Sequence, residues 1–398
     1  MRCLVAVAGV IMALVSVGGC AASSEAPTAL SPELLAKASL ECYWQAEIPL
    51  ASGERVRKLW RLDENVYALT TDNRLVALSA ATGRYRWAVE VAEPGRQVFA
   101  PCHADGILLS EAGGIASILK PPSLLGLTPF DGVMINTVSR LTLIDRATGK
   151  VKRRLEFKNP VNTGGDSDGV HFYVGSASGH YHAVRLSEGL FQWSMSTGDL
   201  ISAAPAVFDR QVYVASTDGS FSCVRPTMEM NRRQWKQQTQ GPISAAFVVE
   251  KRGAFVASRD HALYAYEPSL GEMLWQFRAE GPLRSAPQVG QRTVFVRSEQ
   301  DRFYALDVAT WRKRWDLTDG VHVVAVIGSD AYVLSGGGDL LVVEESIGKV
   351  KLALPTTGLD FLVPNARVPV IYVGTSDGRV GCLRASGAKR LTASMLRK

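Results

Sequence analysis

A short apolar segment with an aromatic residue at its centre recurs along the chain, each copy followed by a turn rich in Gly, Asp and Asn. Between Tyr173 and Tyr372 the central aromatic residues are 40, 42, 40, 37 and 40 positions apart. A period near forty with three or four short strands per unit is typical of a β-propeller. The segments are 66–69, 172–174, 212–214, 254–256, 294–296, 331–333 and 371–373.

A second alternating strand follows each of these turns and ends in a Thr-Gly-like turn and a tryptophan. In the first unit Ala77, Gly83 and Trp87 mark the pattern, and Trp87 stands twenty residues after Tyr67. The small residue leaves room for an indole, the glycine supplies a left-handed turn, and the tryptophan buries a large surface. We therefore predict structural docking roles for Trp44, Trp87, Trp193, Trp235, Trp275 and Trp315.

The second unit is irregular. Its strand is expected at 107–109, because Leu109 lies forty-two residues after Tyr67, yet its 143–149 turn motif arrives late. We therefore predict an insertion at about 111–133. Counting unit starts at Tyr67, Leu109, Tyr173, Tyr213, Phe255, Phe295, Tyr332 and Tyr372 gives eight blades.

The ring has two candidate closing strands. The last unit has no tryptophan after it, whereas the N-terminal segment 43–50 resembles 275–283 and contains an unassigned Trp44. We expect 43–50 to be the outer strand of the last blade, which removes an exposed sheet edge. The alternative is that 388–394 fills this place.

These tryptophan units resemble the PQQ-like (quinoprotein-type) propeller repeats over nearly all of residues 41–387. The resemblance implies an all-β, eight-bladed propeller of four-stranded antiparallel blades spanning 41–398. Quinoprotein dehydrogenases of this repeat type are longer and often place adjacent cysteines at the cofactor. This chain has no Cys-Cys pair, so we expect no cofactor, no catalytic metal and no enzyme activity.

Residues 1–19 have the pattern of a secretory signal peptide, with Arg2 before a short apolar run. Small residues run directly into Cys20, which resembles the lipobox of bacterial lipoproteins and implies acylation of Cys20. An ordinary cleaved signal with an incidental cysteine is the alternative. Residues 20–40 are then expected to be a flexible tether in which Ser31 can cap one short helix.

The composition of the chain argues against a nucleic-acid-binding protein. The chain is 46% hydrophobic and 21% charged, and its net charge of +6 is too small and too scattered for a nucleic-acid binder. Cys223 and Cys382 occupy the small-residue position of the repeat, so we expect both to be buried. A disulfide between Cys42 and Cys382 is an alternative. His180 and His182 share one face of a strand, so they are candidate ligands of a metal ion. We favour the alternative that they are a solvated pair.

Two features are candidates for partner binding. The insertion is apolar for a loop, and it either folds on its own blade or meets a partner. Four arginines share one repeat position, three residues before the small residue, in the turn between the second and third strands. They either form part of a basic rim for an acidic partner or simply keep the turns soluble. The candidate residues are Ile115, Ile118, Leu119, Leu124, Leu125, Leu127, Phe130, Arg74, Arg140, Arg302 and Arg379.

The propeller repeats behind a lipobox together resemble the BamB-type lipoproteins. That resemblance implies a monomeric, non-catalytic scaffold, lipid-anchored in the outer membrane and facing the periplasm. Its implied partner is a protein of the envelope such as the β-barrel assembly machinery. The alternative function is a sensor or redox enzyme that binds PQQ or another small molecule in the central channel.

Overall fold

The computed structural model describes residues 30–104, 130–226 and 232–396. Within these ranges the strands form eight four-stranded sheets with antiparallel neighbours. The first strands of blades 2 to 5 contact one another in turn, which places them innermost in the ring. The predicted all-β, eight-bladed propeller is confirmed.

The chain begins with helix α1 (Pro32–Lys37) and strand β1 (Leu40–Glu47). Blade 1 consists of β2 (Val56–Leu62), β3 (Asn65–Thr70), β4 (Arg74–Ser79) and β5 (Tyr85–Glu90). Blade 2 consists of β6 (Cys102–Ala104), β7 (Gly132–Asn136), β8 (Arg140–Ile144) and β9 (Val151–Glu156). Blade 3 consists of β10 (Gly165–Ser167), β11 (His171–Gly175), β12 (His180–Arg185) and β13 (Phe191–Ser196).

Blade 4 consists of β14 (Ala206–Phe208), β15 (Gln211–Ala215), β16 (Ser220–Val224) and β17 (Arg233–Gln238). Blade 5 consists of β18 (Val248–Glu250), β19 (Gly253–Ala257), β20 (Ala262–Tyr266) and β21 (Met273–Arg278). Blade 6 consists of β22 (Gln288–Val289), β23 (Thr293–Arg297), β24 (Arg302–Asp307) and β25 (Lys313–Thr318).

Blade 7 consists of β26 (Gly320–Ile327), β27 (Asp330–Ser335), β28 (Asp339–Glu344) and β29 (Val350–Pro355). Blade 8 consists of β30 (Phe361–Leu362), β31 (Val370–Gly374), β32 (Arg379–Ala385) and, as its outer strand, β1. Helix α2 (Ala393–Leu396) ends the described chain.

The second strand of a blade is buried along most of its length, which explains its apolar sequence. Buried hydrophobic clusters form between consecutive blades: one joins Tyr67 and Trp87 of blade 1 to Val133 of blade 2. Burying apolar area of this kind is the main favourable term in folding. The core is therefore a series of seams, which we name by the two blades they join.

Four seams follow one docking rule. The indole N–H groups of Trp44, Trp87, Trp235 and Trp315 donate to the carbonyl oxygens of Ala80, Arg146, Pro268 and Glu345 of the next blade, at 3.1, 3.0, 3.0 and 2.7 Å. Each ring lies against a glycine whose φ is between +70° and +74°. A Cβ there would lie 2.4 or 2.5 Å from an indole carbon, so both the turn and the close approach require glycine. These glycines are Gly83, Gly149, Gly271 and Gly348.

The other four seams depart from this rule. At seam 5–6 Trp311 stands in the glycine position with φ +62°, and its ring stacks on Trp275 at 4.9 Å. The indole N–H of Trp275 has no hydrogen-bond partner among the described residues. At seam 3–4 the guanidinium of Arg232 lies over the ring of Trp193 at 5.2 Å.

At seam 2–3 an arginine takes the place of the tryptophan. Arg153 lies opposite Leu143, in the register that Trp87 has with Ala77. Its Nη1 donates to the carbonyl of Leu186 at 3.1 Å, the equivalent of the carbonyl that accepts the indole N–H elsewhere.

Blade 2 differs from the prediction. The strand beside β8 is β7, with Met134 opposite Leu143, so the expectation that 107–109 supplies this strand is wrong. The insertion therefore lies between β6 and β7, and residues 132–133, which we had assigned to it, belong to β7. Residues 105–129 lie outside the described part of the chain.

Ring closure follows the favoured prediction. Strand β1 pairs antiparallel with β32, with Trp44 opposite Cys382, and 388–394 forms no strand. The C-terminal segment nevertheless packs on this junction, because Leu391 and Leu396 are buried with Trp44 in one cluster.

The chain ahead of β1 is also packed. Leu30, Leu35 and Ala38 are buried against blades 7 and 8, and Ser31 caps α1 by accepting a hydrogen bond from the Leu34 N–H at 3.3 Å. Tyr332 of blade 7 donates its hydroxyl to the Ala38 carbonyl at 3.0 Å. Residues 30–40 of the predicted tether thus lie on the propeller and fill seam 7–8, where no indole docks.

Candidate interaction surfaces

The predicted partner-binding residues of the insertion fall mostly outside the described chain. Of these residues, Phe130 is described, and it packs on the core cluster of Met134, Leu143 and Phe172. Its N–H donates to the Gly169 carbonyl of blade 3 at 2.7 Å. Phe130 therefore fixes the end of the insertion to blades 2 and 3. Ile115, Ile118, Leu119, Leu124, Leu125 and Leu127 lie outside the described residues.

A polar network lies where the insertion leaves β6. His103 contacts Asp63 Oδ2 through Nδ1 at 2.7 Å and the Tyr67 hydroxyl through Nε2 at 2.8 Å. Asn65 Nδ2 donates to the same hydroxyl at 2.8 Å. Burial raises the pKa of Asp63, but the hydrogen bond and charge of His103 outweigh this effect, so the pKa lies below its usual range. Burial raises the pKa of Tyr67 well above its usual range.

A buried ion pair lies at the same end of blades 1 and 2. Arg146 Nε lies 2.8 Å from Glu64 Oε1, and Arg146 Nη1 lies 4.0 Å from Asp131 at the end of the insertion. The Arg146 carbonyl also accepts the Trp87 indole N–H. Both ends of the insertion are thus held by polar contacts that we did not predict from the sequence. The available signals were the acidic turn 63–64 and His103 beside the insertion.

The four predicted arginines each open the third strand of a blade and follow the same turn, so they lie on one face of the ring. Each is held by a carboxylate of its own surroundings. The pairs are Arg74–Glu54 at 2.6 Å, Arg140–Glu156 at 2.6 Å, Arg302–Asp316 at 2.6 Å and Arg379–Asp377 at 3.1 Å. The positive charge on this face is therefore largely neutralised locally.

Arg74 has the most buried partner of the four. Glu54 lies in the connection from blade 8 to blade 1, and its side chain is 1% exposed. Burial raises the pKa of Glu54, but hydrogen bonds from Arg74, Thr70 and the Ala51 N–H lower it to about 2. Arg74 Nη2 also donates to the Pro49 carbonyl at 2.6 Å. Arg74 therefore fastens the chain segment that joins the last blade to the first.

The cysteines and histidines do not form a metal centre among the described residues, which hold no group of three or more metal-ligating side chains. Cys42, Cys102, Cys223 and Cys382 are unpaired thiols, and Cys223 and Cys382 are buried. His182 is also buried, with Nδ1 at 2.7 Å from Ser194 Oγ, so the expected solvated pair is wrong for this residue. Burial and the neighbouring His180 lower the pKa of His182.

The predicted lipidation site Cys20 lies outside the described residues. Among the residues that are described, neither helix has the length and apolar content to cross a bilayer.

Comparison with known proteins supports the repeat type and the fold. The family described as outer membrane protein assembly factor BamB matches residues 229–362. The crystal structure of BamB from Moraxella catarrhalis superposes with a TM-score of 0.65 at 16% identity, covering 88% of this chain and 99% of that one. No curated protein sequence matches this chain.

A computationally designed protein superposes in a similar way. The designed Ika8 protein gives a TM-score of 0.61 at 12% identity, covering 85% of this chain and 98% of the designed chain. A designed protein matching almost as well shows that this level of structural similarity reports fold rather than activity. The chain is thus a β-propeller that resembles BamB in fold, and its residues 229–362 match the BamB-type repeat family.

Proposed function

We propose that this protein is a non-catalytic scaffold of the bacterial envelope, tethered through a lipid on Cys20, that assists outer-membrane protein assembly. The observation that carries the proposal is the match to BamB over 99% of the BamB chain, together with the family match within residues 229–362. The lipobox at Cys20 supports an outer-membrane location facing the periplasm. Two or more acyl chains are needed for durable anchoring.

The insertion is the proposed contact with a protein partner. Its ends are fixed by Phe130, His103 and Arg146, so a partner that binds the insertion is positioned relative to the ring. A rigid scaffold that presents one long loop is a common arrangement for recognition. The arginine-bearing face remains a second proposed contact, which would require a partner that competes with the intramolecular carboxylates.

The test is affinity purification from solubilised envelopes, comparing the wild-type chain with a deletion of 112–128, which keeps the packed Phe130 and Asp131, and with Cys20→Ser. We expect the deletion to lose a protein partner while its thermal unfolding is unchanged, and Cys20→Ser to leave the membrane fraction. Retention of every partner by the deletion variant would contradict the proposed contact. Recovery of bound quinone or calcium from the purified wild-type protein would favour the small-molecule alternative.

A further inference from the structure

A positively charged cleft lies at the junction where the ring closes. It has a volume of about 480 Å³, and we call it the closure cleft. Three parts of the chain form it: β1 of blade 8, the turn after β4 of blade 1, and the C-terminal segment. Its lining includes Tyr43, Thr82, Arg384, Ala388 and Arg390.

The C-terminal segment is held firmly at this place. Leu391 donates its N–H to the Tyr43 hydroxyl at 3.3 Å, and its side chain is buried beside Trp44. Arg61 of blade 1 donates to the Leu396 carbonyl. Lys389 and Arg390, which precede these contacts, are exposed. The cleft is thus a fixed feature of the fold that carries two exposed cationic side chains.

Blade 1 adds one more cation at the same junction. Arg84 follows the cleft residue Thr82 and is exposed. None of Arg84, Lys389 and Arg390 forms an ion pair with another described residue.

The fourth cation, Arg384, is already oriented for a planar acceptor. The guanidinium carbon of Arg384 lies 4.1 Å from the centroid of the Tyr43 ring, and its Nε donates to Glu41 at 2.7 Å. Its terminal Nη groups have no hydrogen bond to the described residues. Arginine held in this way presents paired donors that match a carboxylate.

We propose that the closure cleft binds an acidic segment of a partner protein, an inference that rests on the proposed scaffold function for the nature of the partner. Arg384 and Arg390 line the cleft, Arg84 and Lys389 are exposed next to lining residues, and no residue of the lining is acidic, so the local field favours a run of Asp or Glu side chains. The contrast with the arginine-bearing face is direct, because those arginines are already paired.

An anionic lipid surface is the competing ligand, and the path of the N-terminal segment disfavours it. Leu30, the first described residue, lines a separate cavity of about 260 Å³ with Glu47 and Leu359, and it packs with residues of blades 7 and 8. The closure cleft contains blade 1 residues and lies on the other side of blade 8. Leu30, the described residue nearest in sequence to the proposed anchor, therefore lies at seam 7–8, on the other side of blade 8 from the cleft.

The test is fluorescence anisotropy with the full mature chain and a labelled oligo-glutamate peptide, beside an oligo-glutamine peptide of equal length. We expect binding of the glutamate peptide alone, weakening with salt, and a loss of about tenfold or more in Arg84→Glu/Arg390→Glu. The matched control is Arg312→Glu/Lys349→Glu, which changes net charge equally at two exposed positions of blades 6 and 7. We expect the control to lose no more than about threefold, since screening limits distant charges.

Three results would overturn the proposal: no binding of the glutamate peptide, equal losses in the two double variants, or unchanged affinity in Arg84→Glu/Arg390→Glu. Binding of phosphatidylglycerol vesicles that this variant alone abolishes, without peptide binding, would assign the cleft to lipid instead. Matching thermal unfolding of all variants shows that the fold is intact. Because the peptide assay uses purified protein, its failure is distinct from failure of the envelope purification that tests the scaffold function.

Discussion

Seam 6–7 and seam 5–6 use a tryptophan at the same repeat position but face it with different residues. At seam 6–7 Trp315 lies against Gly348 and donates its N–H to Glu345. At seam 5–6 Trp275 meets Trp311, which has a positive φ, and its N–H has no partner among the described residues. The comparison shows that the repeat determines where an indole lies, whereas the residue in the facing turn determines which contacts that indole makes.

The same comparison extends to seams without any docking indole. Seam 7–8 is filled by the N-terminal segment, with the Ala38 carbonyl accepting from Tyr332, and seam 2–3 by Arg153 and Leu155. Each substitute supplies an apolar surface and a hydrogen bond across the seam. Both seams therefore meet the same physical requirement, which is to bury apolar area and to pair polar groups across the seam.

The largest effect is expected at seam 7–8. A chain that starts at Leu40 lacks Leu30, Leu35 and the Ala38 carbonyl, and it should lose roughly 5 kcal/mol or more of unfolding free energy, since each buried leucine contributes about 2–5. The matched control is a chain that starts at Leu30. Thermal unfolding followed by circular dichroism measures the difference. Equal melting temperatures for the two chains would mean that residues 30–39 are only a tether.

The next effect separates the two kinds of tryptophan seam. Trp315→Ala should cost about 3–5 kcal/mol, because it opens a cavity and leaves the Glu345 carbonyl without its partner. Trp311→Gly should cost much less, because glycine relieves the positive φ while the stacking is lost. Denaturant titration of both variants measures the two values. If Trp311→Gly lost as much unfolding free energy as Trp315→Ala, or more, stacking on Trp311 would stabilise its seam at least as well as docking against a glycine does.

A smaller effect concerns the connection from blade 8 to blade 1. The Glu54 pKa of about 2 lies below the reference value of 4.5, so its ionised form stabilises the folded state above pH 4.5, and this contribution is lost as pH falls toward 2. Arg74→Ala should destabilise the protein near neutral pH, and its stability should converge with the wild type in acid. Arg140→Ala, whose partner Glu156 is exposed, serves as control, with an expected change below about 0.5 kcal/mol. A pH-independent difference for Arg74→Ala would contradict the assignment.

The smallest effect is expected at seam 2–3. Arg153→Ala removes the hydrogen bond to the Leu186 carbonyl and should cost about 1 kcal/mol. Arg153→Gln keeps an N–H donor and should recover part of this loss. Urea titration of the two variants and the wild type measures these differences in unfolding free energy. If the two variants were equally destabilised, packing of the arginine stem, and not its hydrogen bond, would be the cause.

The sequence was sufficient for the repeat, the blade number and the closing strand, because aromatic spacing and burial alternation are local signals. It was misleading in blade 2, where 107–109 and 133–135 both have the apolar pattern of a second strand. The distance to the small-residue position could have separated them. Tyr67 stands ten residues before Ala77 and Met134 nine before Leu143, whereas Leu109 is far more distant.

The candidate surfaces were less predictable for a different reason. Whether an arginine is available depends on carboxylates that other parts of the chain bring to it, as Glu54 and Glu156 do for Arg74 and Arg140. The closure cleft likewise joins residues 43, 82 and 390, which no repeat pattern connects. Such long-range pairings become visible only after the ring has closed.

The central claim is that the ring serves a protein partner through its periphery and not a small molecule through its channel. Photocrosslinking in intact cells tests it most directly, with the photoreactive residue at position 119 in the insertion or at position 166 on the innermost strand β10. The account predicts a discrete crosslinked protein of the envelope from position 119 and none from position 166. Crosslinks to a protein or cofactor from position 166 alone would contradict it.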